Sequence, residues 1–456
     1  RQLSLSRVLC VLCPLEETSV NVVNRSTQRR MRRSNDGSQG LLKEGNGDAV
    51  RDDAVVSDES DEPAPPLNRL GWRSLTRKKA LSSFLEEAAR DAEKGGAKMT
   101  LFDLLCVGIG GTVGSGVFVL TGQVYPVAGP SATLSWVLAG CVCGLSALSY
   151  MELSSRIPTK GSCYAFSFHA IGEVPAVIAA VCLTLEYGLA GAGVARNWSA
   201  KLASLLSHFH AAKYMFVPYS SSVTLDDDDS DDDFYVDVPA GLLQVACVLV
   251  CVVGLKLGKV VINGFTVAKC ALVVFMIVAG FAAWHVNVLE SSDEFFPKGF
   301  GGTLSGTSLL FFGYIGFDEV CCLAGKAENP AQVMPRAIAG TLVGATVLSV
   351  LAQMALSGLV RFDDDGSGTS FEQGFDDIGW QWARFITAVG EVLLLPLVVL
   401  VSFLPQPELF AALAEDGLLP ASFGHANSQG TLMHGTVAGG VVMTVFSMLV
   451  PFAVLW

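Results

Sequence analysis

The chain has 456 residues, 51% of them hydrophobic and 16% charged, with a formal net charge of −13. Ordinary soluble domains carry about 25% charged residues, so that class is excluded, and the acidic balance speaks against a nucleic-acid partner. The apolar residues come in blocks such as AGLLQVACVLVCVVGL and ATVLSVLAQMALSGLV. Runs of about 18 or more with few charges read as transmembrane helices, so the expected class is an all-α polytopic membrane protein with the lipid bilayer as a partner.

Residues 1–99 hold 17 Lys+Arg against 15 Asp+Glu, whereas 100–456 hold 13 against 28. Residues 1–98, typified by NDGSQGLLKEGNGDAVRDDAVVSDESDEPAPP, cannot bury enough apolar surface to order themselves. They are expected to form a disordered cytoplasmic tail, ending in the basic lead-in LNRLGWRSLTRKKALSSFLEEAARDAEK. The apolar patch in RVLCVLCPL is too short for a signal peptide. The sequence opens without Met, with Met31 a candidate start, and stops at Trp456 inside an apolar run, so it reads as a fragment at both ends.

Residues 99–456 then form the membrane domain. Nine candidate spans follow: 101–125, 128–155, 173–206, 239–257, 260–287, 302–325, 336–360, 381–413 and 434–456. Arg69, Arg73, Arg77, Lys78 and Lys79 precede the first, and Arg156, Lys160, Lys256, Lys259, Lys326 and Arg336 mark alternate connections. The other connections hold 17 acids, eight of them in TLDDDDSDDDFYVDV. Positive charge stays on the cytoplasmic side, which places the N-terminus there. The acidic run itself reads as a solvated loop. The twelve cysteines lie mostly in apolar runs and behave as small hydrophobes. Neither a metal-ligand spacing nor a disulfide framework is evident, and no cofactor is expected.

Within the first span, VGIGGTVGSGVFVL carries Gly108, Gly110, Gly111, Gly114 and Gly116, although glycine is costly inside a helix. A second such segment, GGTLSGTSLLFFGYIGFDEV, lies five spans later. Gly-interrupted segments in corresponding positions of two halves mark inverted-repeat carriers with discontinuous helices. A helix broken at mid-membrane frees N–H groups that suit a carboxylate and carbonyls that suit an ammonium. Those are the two ends of a free amino acid. The alternative is that small residues only let helices approach, as in GxxxG packing.

Lys269, in INGFTVAKCALVVFMIVAGF, is an ionisable group inside an apolar span, which is expensive and usually functional. The alternative is snorkelling to the surface. Glu186 in LTLEYGLAG and Asp318 in GFDEV are acids inside spans, able to share a proton or serve as hydrogen-bonded structural carboxylates. Glu152, one turn before Arg156, is either structural or part of an inner gate. No HExxH, GxSxG or phosphate loop points to an enzyme, and no strand precedes GIGGTVGSG as a nucleotide site would need.

The stretches GIGGTVGSGVFVLTG, AGPSATLSW, LSYMELSSRIPTKGSCYAFSF, LEYGLAGAGVARNWS, FFGYIGFDEV, ENPAQVMPRAI and AEDGLLP occur in this order between Leu101 and Trp456. This segment resembles the cationic amino acid transporters of the amino acid–polyamine–organocation superfamily. The resemblance implies a five-plus-five inverted-repeat fold, here stopping after about nine transmembrane helices. It implies that amides around Gly114, Ser115 and Gly116 hold the substrate carboxylate. The Thr112 carbonyl, with those near Phe312, Gly313 and Ile315, would hold the α-amino group, and Phe312 or Phe317 would gate the site. In proton-coupled bacterial members a lysine stands at the position of Lys269, which makes Lys269, with Glu186 and Asp318, the candidate proton-coupling set. Three positions depart from the usual pattern: Gly325 and Lys326 replace a Glu-Glu pair, and Glu408 replaces an arginine.

The expectation is therefore a secondary active amino acid permease of the plasma membrane or a vacuolar or other endomembrane. It is expected to be a proton symporter moving cationic or neutral L-amino acids by alternating access. The alternative is an amino acid sensor that keeps the site without net transport.

Overall fold

A computed structural model describes residues 77–84, 86, 98–207, 236–252, 259–286, 291–362, 369–427 and 431–450. All belong to one compact unit, Glu59–Trp456. Most of the expected tail, the acidic run at 226–233 and the ends of the spans 239–257, 260–287 and 434–456 lie outside the described residues. Among those described, regular structure is helical, and the β contact recorded is an isolated bridge between Met99 and Ala327.

The membrane domain opens on a capping box. The Thr100 hydroxyl accepts from Asp103 N–H at 3.3 Å, and the Asp103 carboxylate accepts from Thr100 N–H at 2.9 Å, which satisfies two donors that a helix start leaves open. Helix α1 (Leu101–Ser115) runs into a π-helical turn, Gly116–Leu120, and then α2 (Thr121–Ala128). Gly129, at φ 63°, and a 3₁₀ turn to Ser131 lead into α3 (Ala132–Arg156). There follow α4 (Cys163–Ala170), α5 (Glu173–Ser207), α6 (Val238–Val252), α7 (Lys259–Ala282) and the short α8 (Ser292–Phe295). The second glycine-rich segment forms α9 (Gly299–Phe311), a 3₁₀ turn at Phe312–Tyr314 and α10 (Phe317–Cys322). The last elements are α11 (Pro330–Leu359), α12 (Phe371–Asp377), α13 (Gln381–Phe403), α14 (Pro405–Glu415) and α15 (Met433–Leu449).

Among the described residues, five helical runs are long and apolar enough to cross a membrane: Leu101–Arg156, Glu173–Leu206, Ile262–Ala282, Pro330–Leu359 and Gln381–Glu415. Val238–Val252 and Met433–Leu449 are shorter apolar helices. Their outward faces are apolar: Leu145 is 71% exposed and Leu393 is 66% exposed. Such a surface needs lipid for a solvent. The protein is an all-α membrane protein.

Helix α1 is the hub, packed against α7, α10, α11 and α13. Helix α3 lies on α9 and α11, and α5 lies on α4, α13 and α15. The end of α15 is closed by a side chain from α5. Arg196 of α5 donates to the Ser447 and Met448 carbonyls at 2.8 and 2.6 Å, where α15 has run out of partners of its own.

Residues 77–84 lie across α4 and the end of α14. Lys79 Nζ is 2.6 Å from an Asp416 carboxylate oxygen, and the Tyr164 hydroxyl donates to the other at 2.7 Å. Burial and the Asp416 carboxylate push the Tyr164 hydroxyl well above the usual phenol range, so it stays a donor. Arg77 pairs with Glu173 at 3.2 Å, and Phe84 joins the apolar cluster of Tyr164, Phe168, Tyr187, Cys322 and Leu409.

Candidate functional site

Segment one does not unwind where an interruption is expected. Gly116 keeps helical angles, φ −62° and ψ −61°, and its N–H bonds to the Thr112 and Val113 carbonyls. The chain accommodates the glycines by widening into the π turn. The Thr112 hydroxyl donates back to the Gly108 carbonyl within α1, and the Thr121 hydroxyl donates back to the Val117 carbonyl in the π turn, where the wider winding leaves a carbonyl short of a partner. Segment six does break. Ile315 turns extended at ψ 131°, Gly316 adopts φ 129°, and the helix restarts at Phe317. A β-carbon at Gly316 would be strained by that φ and would stand 3.0 Å from Thr112 N.

Each glycine of segment one meets a different neighbour. Gly108 lies under Thr341 and Val320, Gly110 against Thr266, Gly111 against Glu319 and Gly316, and Gly114 under Val398. A β-carbon at Gly116 would stand 3.0 Å from the Gly313 carbonyl and 3.3 Å from the Trp136 ring. Trp136, fully buried, covers Gly116 and Gly313 together, and is held by Gln353 at 3.2 Å and edge-on by Tyr314. The glycines bring the two segments into backbone contact, and they do so at the positions expected to bind substrate.

Helix α7 fixes α1 through a stripe of polar side chains three residues apart. Asn263 donates to the Asp103 carboxylate at 2.7 Å, Thr266 to the Cys106 carbonyl at 3.0 Å, and Lys269 Nζ to the Gly110 carbonyl at 2.6 Å. Lys269 is 1% exposed, so it is turned inward and does not snorkel. At the next residue of α1, Glu319 of α10 is 2% exposed and directs Oε2 at Gly111 with no hydrogen-bond partner. Asp318 is fully engaged by comparison: it accepts from Gly316 N–H at 3.1 Å and from the Tyr187 hydroxyl at 2.9 Å.

The site thus gathers Thr112, Gly116, Gly313, Gly316, Lys269, Asp318 and Glu319 around one segment contact. Glu186, half-buried on α5, acts on Asp318 electrostatically. Phe312 and Ile315 are half-buried at the break, and the Ile315 N–H bonds to the Phe312 carbonyl at 3.1 Å. Phe317 packs edge-on against Tyr150 with ring centres 5.6 Å apart. The Ser115 side chain lies outside the described residues. Glu152 is not brought to the site: it pairs with Arg156 at 2.9 Å on an exposed helix end.

Three features escaped the sequence reading. Glu319 was passed over beside Asp318. The two unusual residues Lys326 and Glu408 are each other's partners, at 3.0 Å. A second buried charge cluster joins α5, α12 and α13: Lys201 Nζ is 2.7 Å from Glu391 and 3.9 Å from Glu372, and Glu372 also accepts from Ser204 at 3.0 Å.

The model of the amino acid permease family matches residues 99–455, and the chain belongs to that family. The mitochondrial cationic amino acid transporter 3 of Arabidopsis thaliana is 32% identical over 383 residues, which is 82% of this chain and 61% of the relative. The branched-chain amino acid permease of Bacillus subtilis (strain 168) is 33% identical over 352 residues, 76% of this chain and 73% of that protein. Cationic amino acid transporter 4 of Mus musculus is 32% identical over 382 residues, 81% and 58%. The chain spans about three-fifths of the length of the first curated relatives it matches, 61%, 63% and 56%.

Proposed function

We propose that the full-length protein is a secondary active amino acid transporter, driven by protons, that moves cationic or neutral L-amino acids by alternating access. Its fold on this reading is the five-plus-five inverted repeat, with the N-terminus in the cytoplasm. The observation that carries the proposal is the contact of the two glycine-rich segments, with the Lys269 ammonium bonded to the Gly110 carbonyl beside it. Separation of the segments would open the backbone around Gly116 and Gly313 to a ligand, and the amine would feel that movement directly. In the relatives' names both cationic and branched-chain substrates occur. Because Lys326 is neutralised by Glu408, its charge does not count against a cationic substrate.

The test is uptake of a labelled amino acid panel into proteoliposomes holding the full-length protein. Accumulation should follow an inward proton gradient and ignore sodium. Gly116→Val should abolish it, because a branched side chain meets Gly313 and Trp136. Lys269→Arg should abolish gradient-driven accumulation, since a guanidinium does not release its proton. Saturable binding without flux would overturn the proposal.

A further inference from the structure

Glu319 stands in unusual surroundings. It stands in the half-helix that follows the break in segment six, 2% exposed, and its Oε2 has no hydrogen-bond partner. A carboxylate that has given up water without gaining a donor is costly to keep charged. The ionisable groups acting on it among the described residues are Asp318 beside it on α10, Glu186 from α5 and Lys269 from α7. Asp318 already has two donors. The lysine is engaged by the Gly110 carbonyl. Three acids therefore share one amine, and positive charge is missing.

The geometry says what can supply it. A β-carbon at Gly111 would stand 3.0 Å from Glu319 Oε2, so the carboxyl group lies directly against segment one at this glycine. The acids do not converge as metal ligands among the described residues.

We infer that Glu319 is a second coupling residue of the transport cycle, binding a proton in the conformation in which segments one and six are in contact. This rests on the proton-driven reading above. The step is protonation of the carboxylate, with the proton drawn from water while the segments are apart and returned to water when they part again. Contact and protonation favour each other, because hydration of Oε2 stabilises the carboxylate only in the open state. Such unequal proton affinity is what lets a gradient bias a conformational equilibrium. Lys269 and Glu319 then lie against adjacent residues of segment one, Gly110 and Gly111, and movement of that segment alters both.

The test uses full-length protein in proteoliposomes with radiolabelled L-arginine and L-leucine, comparing wild type, Glu319→Gln and Glu319→Asp. Glu319→Gln should lower accumulation on an inward proton gradient by about tenfold or more and flatten the pH profile of exchange. Glu319→Asp, which keeps an acid, should restore the pH dependence. Gradient-driven accumulation by Glu319→Gln within about twofold of wild type overturns the inference and leaves the proton-driven reading standing. If wild type ignores the gradient, both fall. If exchange and accumulation fail alike and Glu319→Asp is no better, the residue is structural and the inference is wrong. Selective loss of L-arginine with gradient-driven L-leucine uptake intact would make Glu319 a receptor for a cationic side chain, which also overturns it.

Discussion

Lys201 and Lys269 are both lysines on apolar helices, but they are held in different ways. Lys201 lies among side chains of opposite charge, 2.7 Å from Glu391 and 3.9 Å from Glu372, and Glu372 has Ser204 as a further donor. Lys269 donates to a backbone carbonyl, while Glu319, the acid against the next residue of segment one, has no donor for its Oε2. A cluster whose charges answer one another ties helices α5, α12 and α13 into a fixed arrangement. A cluster whose charges answer the backbone changes energy whenever that backbone moves. The Lys201 side chain is 13% exposed and Lys269 is 1% exposed, and the sharper difference between the two places is the type of partner.

The largest expected effect tests the framework side. Lys201→Met leaves Glu391 buried without its ammonium, and breaking a buried pair costs about 3 to 5 kcal/mol. Thermal melting of the purified protein should show this loss, and Lys201→Met with Glu391→Leu should recover most of it. Lys269→Met should destabilise far less while removing gradient-driven uptake. Equal stability losses for the two lysines would break the comparison.

Tyr187→Phe comes next. It removes one of the two donors to Asp318, and hydrogen bonds to charged groups contribute about 1.5 to 3 kcal/mol. Melting should fall accordingly, and exchange should slow because the restart of segment six is loosened. The Lys326–Glu408 pair is more open, with the lysine side chain 50% exposed, and such pairs contribute about 0 to 1 kcal/mol. Lys326→Glu should therefore lower stability slightly, and adding Glu408→Arg should restore it; failure of the double variant to recover would place other charges at that contact. The smallest effect is expected at Glu152, whose exposed pair with Arg156 is worth about 0.3 to 0.5 kcal/mol. Glu152→Gln should leave melting and uptake close to wild type, and a large fall in uptake would restore it as a gate.

Much of the fold was legible. Apolar blocks gave the helices, with 128–155 expected against Ala132–Arg156 observed and 336–360 against Pro330–Leu359. The two glycine-rich segments were legible as a pair, because only backbone contact rewards so many missing side chains. Whether each would break was not. Glycine density reports close approach, and a break needs in addition a residue in an unusual conformation, as Gly316 is and Gly116 is not. Glu319 was missed for a related reason: the break resets which side of the restarted helix faces inward, so its depth could not be read from the periodicity of α9. Glu391 lies plainly in an apolar run, yet its partner Lys201, shared with Glu372, comes from a distant stretch. Trp136 was visible only as part of LSW, and its position over two glycines depends on the packing of α3.

The π turn at Gly116–Leu120 has a consequence for the rotation of segment one. An α-helix turns about 100° and rises about 1.5 Å per residue, and a π turn inserts one residue without lengthening its neighbours' hydrogen-bond pattern. The two sides of the turn are therefore out of phase. The first is phased by Asp103, Cys106 and Gly110, bonded to α7, and the second by Tyr125, whose hydroxyl donates to the Val360 carbonyl at 2.8 Å. An unbroken α-helix could satisfy one set of anchors and would present the wrong face to the other. The extra residue acts as a slip joint, so that one half of the segment can keep its register while the other is turned.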